Sequence, residues 1–412
     1  MTSLASSTSK DVRLISIVSL VHLFSHFYQL TLAPVFPLIK AEMGLTNVEL
    51  GFLVTVFFIA SALFQTPAGF LVDRFGARPV LLIGLGILSL SVTCYSLAPN
   101  YQVFLVLTFL AGMGNSVFHP ADYSLMNNFV SPRLMGRAFS FHTNGGHFGF
   151  ALGPAVMALL AANMGWRDAA ALVGLTGVAL TLILVIGGAR LFEGSQSDLF
   201  PKEEAKDSGP RESATSISVL LKPSVIAFFI FFTVLAMGLI GMQNFTPTAL
   251  VAGRDFDLVT AAGALSGFLF GAPIGIFVGG YAADKFQRQD LLALTCIITA
   301  GIFVFLVPVL QFEGPILTIQ FFIAGIFFGF ALPNRDMVVR ASTPKGASGR
   351  VFGFVYGGLD TGAAITPAIY GWFVDLGRPD WVFTSSGILM TIAALIIFTT
   401  ARLVQKQSLA KG

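Results

Sequence analysis

Gly69-Phe70-Leu71-Val72-Asp73-Arg74-Phe75-Gly76-Ala77-Arg78-Pro79-Val80-Leu81 sits between two apolar runs, each long enough to cross a bilayer. One acid and two arginines forbid the hydrocarbon interior, so the stretch is a short connection at a membrane surface. A degraded copy stands 211 positions later, at Gly280-Tyr281-Ala282-Ala283-Asp284-Lys285-Phe286-Gln287. An ordinary basic loop, placed only by its charge, has no reason to return in this form.

Composition agrees. The chain has 412 residues, 55% hydrophobic and 11% charged. Soluble domains carry about 25% charged residues, so this is an integral membrane protein. The net charge of +3 is no sign of nucleic acid, because no basic patch is interleaved with aromatics. Cys94 and Cys296 both fall inside apolar runs and read as packing residues rather than a disulfide or metal ligands. Polar residues up to Arg13 lead into a full-length span, which reads as an uncleaved first helix. Gly84-x-Gly86 lies inside a span, without the strand–helix unit a dinucleotide needs. No H-E-x-x-H, C-x-x-C or G-x-S-x-G occurs, so no cofactor and no metal site is expected.

Hydropathy gives twelve spans, near 14–39, 48–70, 79–98, 102–128, 138–162, 169–190, 223–249, 258–281, 291–311, 315–339, 351–374 and 382–403. Of 24 Lys and Arg, nineteen fall in loops on one face. Four (Lys40, Arg167, Arg254, Arg378) fall on the other, and Arg335 lies within a span. By the positive-inside rule both termini are cytoplasmic. Residues 191–222 mix acids and bases with Ser, Gly and Pro, and read as a solvated linker. It joins a six-helix half, 1–190, to a second, 223–412. The halves repeat at an offset of 213: Ala111-Gly112 returns as Ala324-Gly325, Pro120 as Pro333, Gly136-Arg137 as Gly349-Arg350, and Pro154 as Pro367. Many secondary transporters are built this way, with the site near mid-membrane.

Polarity is unevenly spread. The third, sixth, ninth and twelfth spans have no charge or histidine in their interiors, whereas all five histidines lie in the first, fourth and fifth. Lipid-facing helices should be apolar and cavity-lining ones need not be, which sorts the former outward and the first, fourth, seventh and tenth inward. His22, Ser25, His26 and Gln29 form one helical stripe, either a cavity wall or a polar seam between helices. His119, Asp122 and Tyr123 share a face after Pro120, which frees a backbone carbonyl. His147 in the fifth span corresponds by the repeat to Asp360 in the eleventh. The seventh span offers Gln243 and Asn244. Gly263, Gly267, Gly271, Gly275 and Gly279, four apart in the eighth, suit close helix packing. Asn334-Arg335-Asp336 follows Pro333 in the tenth, where the helix is expected to be interrupted. Arg335 is either a substrate contact or half of an internal ion pair with Asp336 or Asp122. A residue of either charge costs about 2.5–3.5 kcal/mol at a span's centre, which makes the pair a functional candidate.

The pattern G-x-L-x-D-R-x-G-x-R-x-x-L at Gly69–Leu81 resembles the loop between the second and third helices of the major facilitator superfamily. The resemblance implies an all-α membrane fold of twelve helices in two pseudo-symmetric halves. It also implies a conformational latch at Gly69, Asp73, Arg74, Gly76 and Arg78, with a weaker second latch at Asp284 and Lys285, where Gln287 and Gln289 depart from the pattern. Gly149-x-x-x-Gly153-Pro154 is similar to the superfamily's antiporter pattern, although Met157-Ala158 stands where a glycine pair is expected. With Phe118-His119-Pro120 it also resembles the fosmidomycin-resistance type of exporter. Thr108 replaces the arginine usual in drug/proton antiporters of the superfamily, a departure from the usual proton-antiport arrangement.

The sequence therefore reads as a secondary transporter of the bacterial inner membrane, not an enzyme, and a monomer. The expected function is efflux of a small polar or anionic compound by proton antiport; the alternative is proton- or ion-coupled uptake of a small organic anion. Candidate substrate contacts are His26, Gln29, His119, Tyr123, Gln243, Asn244 and Arg335. Candidate proton carriers are Asp122, His147, Asp336 and Asp360. A membrane-embedded enzyme would need a nucleophile–base pair, to which His119 with Asp122 is the nearest approach. A channel or sensor would leave the repeated latch loop without a role.

Overall fold

A computed structural model describes residues 2–194, 220–286, 288–342 and 348–409. Among them the chain is helical, with no strand. In order the helices are α1 (Thr2–Gln29), α2 (Phe36–Met43), α3 (Asn47–Phe75), α4 (Ala77–Tyr95), α5 (Tyr101–Asn115), α6 (Phe118–Phe129), α7 (Met135–Met164) and α8 (Trp166–Ile186). They continue with α9 (Pro223–Arg254), α10 (Leu258–Lys285), α11 (Gln289–Phe305), α12 (Val307–Leu310), α13 (Gly314–Ala341), α14 (Ser348–Asp375) and α15 (Trp381–Leu409). Eleven spans among the described residues are long and apolar enough to cross a membrane. The 28-residue α14 is the twelfth long helix. Most of the linker, 195–219, lies outside the described residues, as does Gln287.

The chain divides into two compact units, Met1–Leu45 with Val56–Ser208, and Thr46–Thr55 with Gly209–Gly412. The segment Thr46–Thr55 joins the second unit through side-chain bonds. Asp375 accepts from the backbone N–H groups of Asn47 (3.0 Å) and Val48 (2.9 Å), neutralising the first turn of α3. Thr55 Oγ1 donates to the Ala364 carbonyl at 2.6 Å.

Local sequence explains the helix ends. Gly76 separates α3 from α4 with φ +87°, a conformation that disfavours any side chain. Asn100 caps α5 by accepting from Val103 N–H, and Asp257 caps α10 by accepting from Val259 and Thr260. Bonds from Thr260, side chain first, hold the Asp257 carboxyl below the usual carboxylate range. The fourth span is two helices, because α5 ends at Asn115 and α6 restarts at Phe118. Pro120 thus falls in a first turn, where its missing N–H costs little. The tenth span differs from expectation: α13 runs unbroken through Pro333.

Glycine ladders set the helix spacing. In the first unit Gly145, Gly149 and Gly153 of α7 lie against the backbone carbonyls of Ser19, Leu23 and Phe27 on α1. In the second, Gly267, Gly271, Gly275 and Gly279 of α10 meet the carbonyls of Thr318, Phe322, Ile326 and Phe330 on α13. Without Cβ atoms the backbones approach closely enough to drive association by packing alone, which matters where lipid removes the hydrophobic drive. The antiporter-like glycines thereby fix α1, the helix carrying His22 and His26. The apolar spans present large side chains outward, among them Ile83 and Leu90 on α4, Leu182 and Ile186 on α8, Ile302 on α11 and Leu403 on α15.

The ladder makes a graded prediction. Gly263 shares its spacing but has nothing within reach of an added Cβ. Gly271→Leu should therefore lower unfolding free energy in detergent by about 1–3 kcal/mol, as overpacked cores do, while Gly263→Leu changes it little.

Candidate functional site

In the first unit the polar stripe of α1 meets α6 and α7 around one carboxylate. Asp122 is fully buried. Its Oδ2 lies 3.1 Å from His22 Nδ1 and accepts from His142 Nε2 at 3.0 Å. The His22 and His142 rings stack with centroids 3.7 Å apart. His22 Nε2 lies 3.0 Å from His26 Nε2. Gln29 Nε2 lies 3.4 Å from His26 Nδ1 and donates to Asn115 Oδ1 at 3.3 Å. Ser25 donates to that same oxygen, and Asn115 Nδ2 donates to Ser61 Oγ at 3.0 Å. One polar chain thus runs Ser61–Asn115–Gln29–His26–His22–Asp122–His142 through five helices.

Local sequence permits this. The break at Asn115–Phe118 turns Asn115 toward α1, and Gly146 leaves room on α7, since a Cβ there would meet the imidazoles of His26 and His22. His119 and Tyr123 are exposed above the buried core of the cluster. His119 lies 5.3 Å, ring to ring, from His22, and Tyr123 lies 5.5 Å from His142. His147, half-buried one turn beyond Thr143 on α7, belongs to the same region of α7 but makes none of the bonds above.

The second unit has a cationic centre. Arg335 is buried on α13 and donates from Nε to Asp336 Oδ1 at 2.8 Å. Tyr356 of α14 donates to the same carboxylate at 2.9 Å and lies 3.5 Å from Arg335 Nη2. The guanidinium sits 4.8 Å over the Phe232 ring and 5.8 Å from that of Tyr356. Asn334 ties the helix to α10 by donating to the Gly279 carbonyl at 3.3 Å. Gln243 and Asn244 are buried on α9, where Asn244 bonds back to the Ile240 carbonyl and its Oδ1 stays unsatisfied. Asp360 is exposed one turn after Tyr356, with no hydrogen-bond or ion-pair partner among the described residues.

At the first loop Gly69 is half-buried and Asp73 exposed; Arg74 packs over Phe75, and Arg78 over Phe192. Lys285 packs over Tyr281. The Asp284 side chain lies outside the described set.

Of the sequence candidates, the structure brings together His26, Gln29, His119, Tyr123 and Asp122 in one cluster, and Arg335 with Asp336 in another. Sequence reasoning did not place His142, Asn115, Ser61, Tyr356 or Phe232 at a site. His142 could have been found, because an ionisable residue inside a span is a functional candidate by default. His22, Asp122 and His142 also bring potential metal-ligand atoms within 4.8 Å of one another, although no sequence spacing indicated a metal site.

A twelve-helix membrane fold, with glycine-laddered helix pairs and a cluster of ionisable residues in each unit, defines a membrane transporter architecture. The sequence model of the Major Facilitator Superfamily matches residues 18–334 and 260–411, and the chain belongs to that superfamily. It is 26% identical over 404 residues to the fosmidomycin resistance protein of Escherichia coli, covering 96% of this chain and 95% of that one. It is 24% identical over 403 residues to a probable sulfoacetate transporter of Cupriavidus necator, covering 93% and 92%. In structure it resembles a bacterial homologue of the human lysosomal transporter Spinster, with a TM-score of 0.77, 16% identity and coverage of 96% and 98%.

The Arg335 centre gives a ranked prediction. Tyr356→Phe removes one hydroxyl and should cost about 0.5–1.5 kcal/mol of unfolding free energy. Asp336→Ala leaves a buried guanidinium without its carboxylate and should cost more, toward about 3 kcal/mol, less what solvent at the half-exposed Asp336 side recovers. Thermal or denaturant unfolding in detergent measures the order.

Proposed function

We propose that the chain is a secondary transporter that exports a small polar or anionic compound in exchange for protons, by alternating access of its two units. Arg335 carries this reading. Asp336 occupies Nε and fixes the plane of the guanidinium, Nη2 makes a long 3.5 Å bond to the Tyr356 hydroxyl, and the group lies beside the rings of Phe232 and Tyr356. A fixed planar fork suits carboxylate, sulfonate or phosphonate oxygens. The names of two relatives fit: one is a resistance protein, and the other is given as a transporter of an organic anion, sulfoacetate.

For the coupling proton we favour Asp360, a carboxylate on a membrane helix with no hydrogen-bond or ion-pair partner among the described residues. Its neighbouring α9 carries no charged residue between Pro223 and Gly253, and the charges of α15, Arg402 and Lys406, lie in its last turns. Tyr356, one turn back, is the nearest titratable residue on its own helix. Uptake of an organic anion is the second reading, favoured by Thr108. It is buried and donates to the Phe104 carbonyl of its own helix, where drug antiporters of the superfamily usually carry an arginine. Under either reading Asp73, Arg74 and Arg78, with Asp284 and Lys285, act on switching rather than on substrate. The protein works as a monomer in the inner membrane, with both termini cytoplasmic.

Everted vesicles test this with a panel of carboxylates, sulfonates and phosphonates. Export by antiport predicts accumulation driven by an acid interior and abolished by a protonophore. Arg335→Lys should raise the KM at least tenfold, because it keeps the charge and loses the fork. Asp360→Asn should keep substrate exchange but lose the response to the gradient. Restoration of transport in the double variant Arg335→Ala, Asp336→Ala would reduce Arg335 to an internal ion pair, and accumulation indifferent to the gradient would remove the proton.

A further inference from the structure

The polar cluster of the first unit holds an unresolved account of its lone pairs. Asp122 Oδ1 is buried with no hydrogen-bond partner, and so is His22 Nδ1. His22 Nδ1 approaches Asp122 Oδ2 at 3.1 Å, yet not in hydrogen-bonding geometry. An imidazole from α1 and an imidazole from α7 meet a carboxylate from α6 without fully satisfying one another. Buried polar atoms of this kind call for an ion or a water.

We propose that His22, Asp122 and His142 form a binding site for one divalent first-row transition-metal ion of the Zn2+ type. The separations suit it. Tetrahedral Zn2+ with bonds of ~2.0–2.1 Å holds its ligand atoms ~3.3 Å apart. Here the two nitrogen–oxygen distances are 3.1 and 3.0 Å, and all three ligand atoms lie within 4.8 Å. To admit the ion, the stacked His22 and His142 rings, with centroids 3.7 Å apart, must turn their ligand nitrogens toward one point by side-chain rotation. Two imidazoles among three ligands favour Zn2+, Co2+ or Ni2+ over Mg2+ and Ca2+, which take oxygen ligands. The outer arrangement also fits. When Nδ1 of His22 binds metal, its Nε2–H donates to His26 Nε2, 3.0 Å away. Such a partner fixes the tautomer and orientation of a ligating histidine. Gln29, which donates to Asn115 Oδ1 at 3.3 Å, stands beside His26.

Access lies on the side of His119 and Tyr123, the exposed residues of the cluster. Three protein ligands leave a fourth position open to water or to an anionic oxygen on that side. The ion would join α1, α6 and α7 across the break between α5 and α6, and its two charges would compensate the buried carboxylate. This site is independent of Arg335 and of the direction of transport, so it stands or falls apart from the proposed function.

The test uses the full chain, purified in detergent, stripped with chelator and titrated with Co2+ and then Zn2+. One ion per chain is expected, with the intense visible d–d absorption of low-coordinate Co2+ and its displacement by Zn2+. Asp122→Asn and His142→Ala should each weaken binding at least tenfold, while Asp360→Asn, a carboxylate of the other unit, leaves affinity within threefold. Should the ligand variants fail to fold, X-ray absorption at the zinc edge of the wild-type protein decides. Imidazole multiple scattering with nitrogen and oxygen at ~2.0–2.1 Å supports the site. No saturable binding by wild type, equal affinity in folded ligand variants, or a zinc shell without imidazole overturns it.

Discussion

A carboxylate held inside a membrane-spanning bundle is the constraint on which the first unit depends. Asp122 cannot reach bulk water, so its environment must supply polar partners. On α7 His142 supplies a hydrogen bond, and on α1 His22 approaches the same oxygen at 3.1 Å. Those imidazoles in turn need partners, and the demand passes along α1 to His26 and Gln29 and across to Asn115 and Ser61. The packing serves the same end. Gly145, Gly149 and Gly153 bring α7 against the α1 backbone, and Gly146 opens the space that the imidazoles fill. Function and fold are therefore not separable here, because the residues that close the helix pair also place the ionisable groups.

The two units are built alike and equipped differently. Glycines four apart pack α7 on α1, and in the second unit Gly358 and Gly362 pack α14 on the Phe229 and Thr233 carbonyls of α9. The chemistry does not repeat. The repeat aligns Asp122 with Arg335 and His147 with Asp360, whereas His142 aligns with Val355. Internal duplication thus preserved the backbone approach, and the ionisable residues diverged on it. One unit presents imidazoles around an acid; the other presents a guanidinium held by an acid and two aromatic rings.

Much of this was legible in the sequence. The Gly69–Leu81 loop, its copy and the offset repeat point to the superfamily fold, because charge and glycine are tightly constrained at a membrane surface. The stripe of His22, Ser25, His26 and Gln29 follows from helical periodicity. His142 escaped because its partner, Asp122, lies on another helix, and no local spacing joins α6 to α7. Tyr356 and Phe232 escaped for a plainer reason: aromatic residues are abundant in every span, and only packing shows which two face Arg335. The expected interruption at Pro333 was misplaced. The real break in a polar span falls at Asn115–Phe118, so Pro120 sits in the first turn of a new helix instead of kinking an old one.

The central claim is that Asp122 and His142 interact as buried partners that organise the first unit. A double-mutant cycle on the unfolding free energy in detergent tests it directly, using Asp122→Ala, His142→Ala and the double variant. Coupled partners predict that the double variant loses less than the sum of the singles, by at least about 1 kcal/mol. Additivity within about 0.5 kcal/mol, the behaviour of independent sites, would contradict the account.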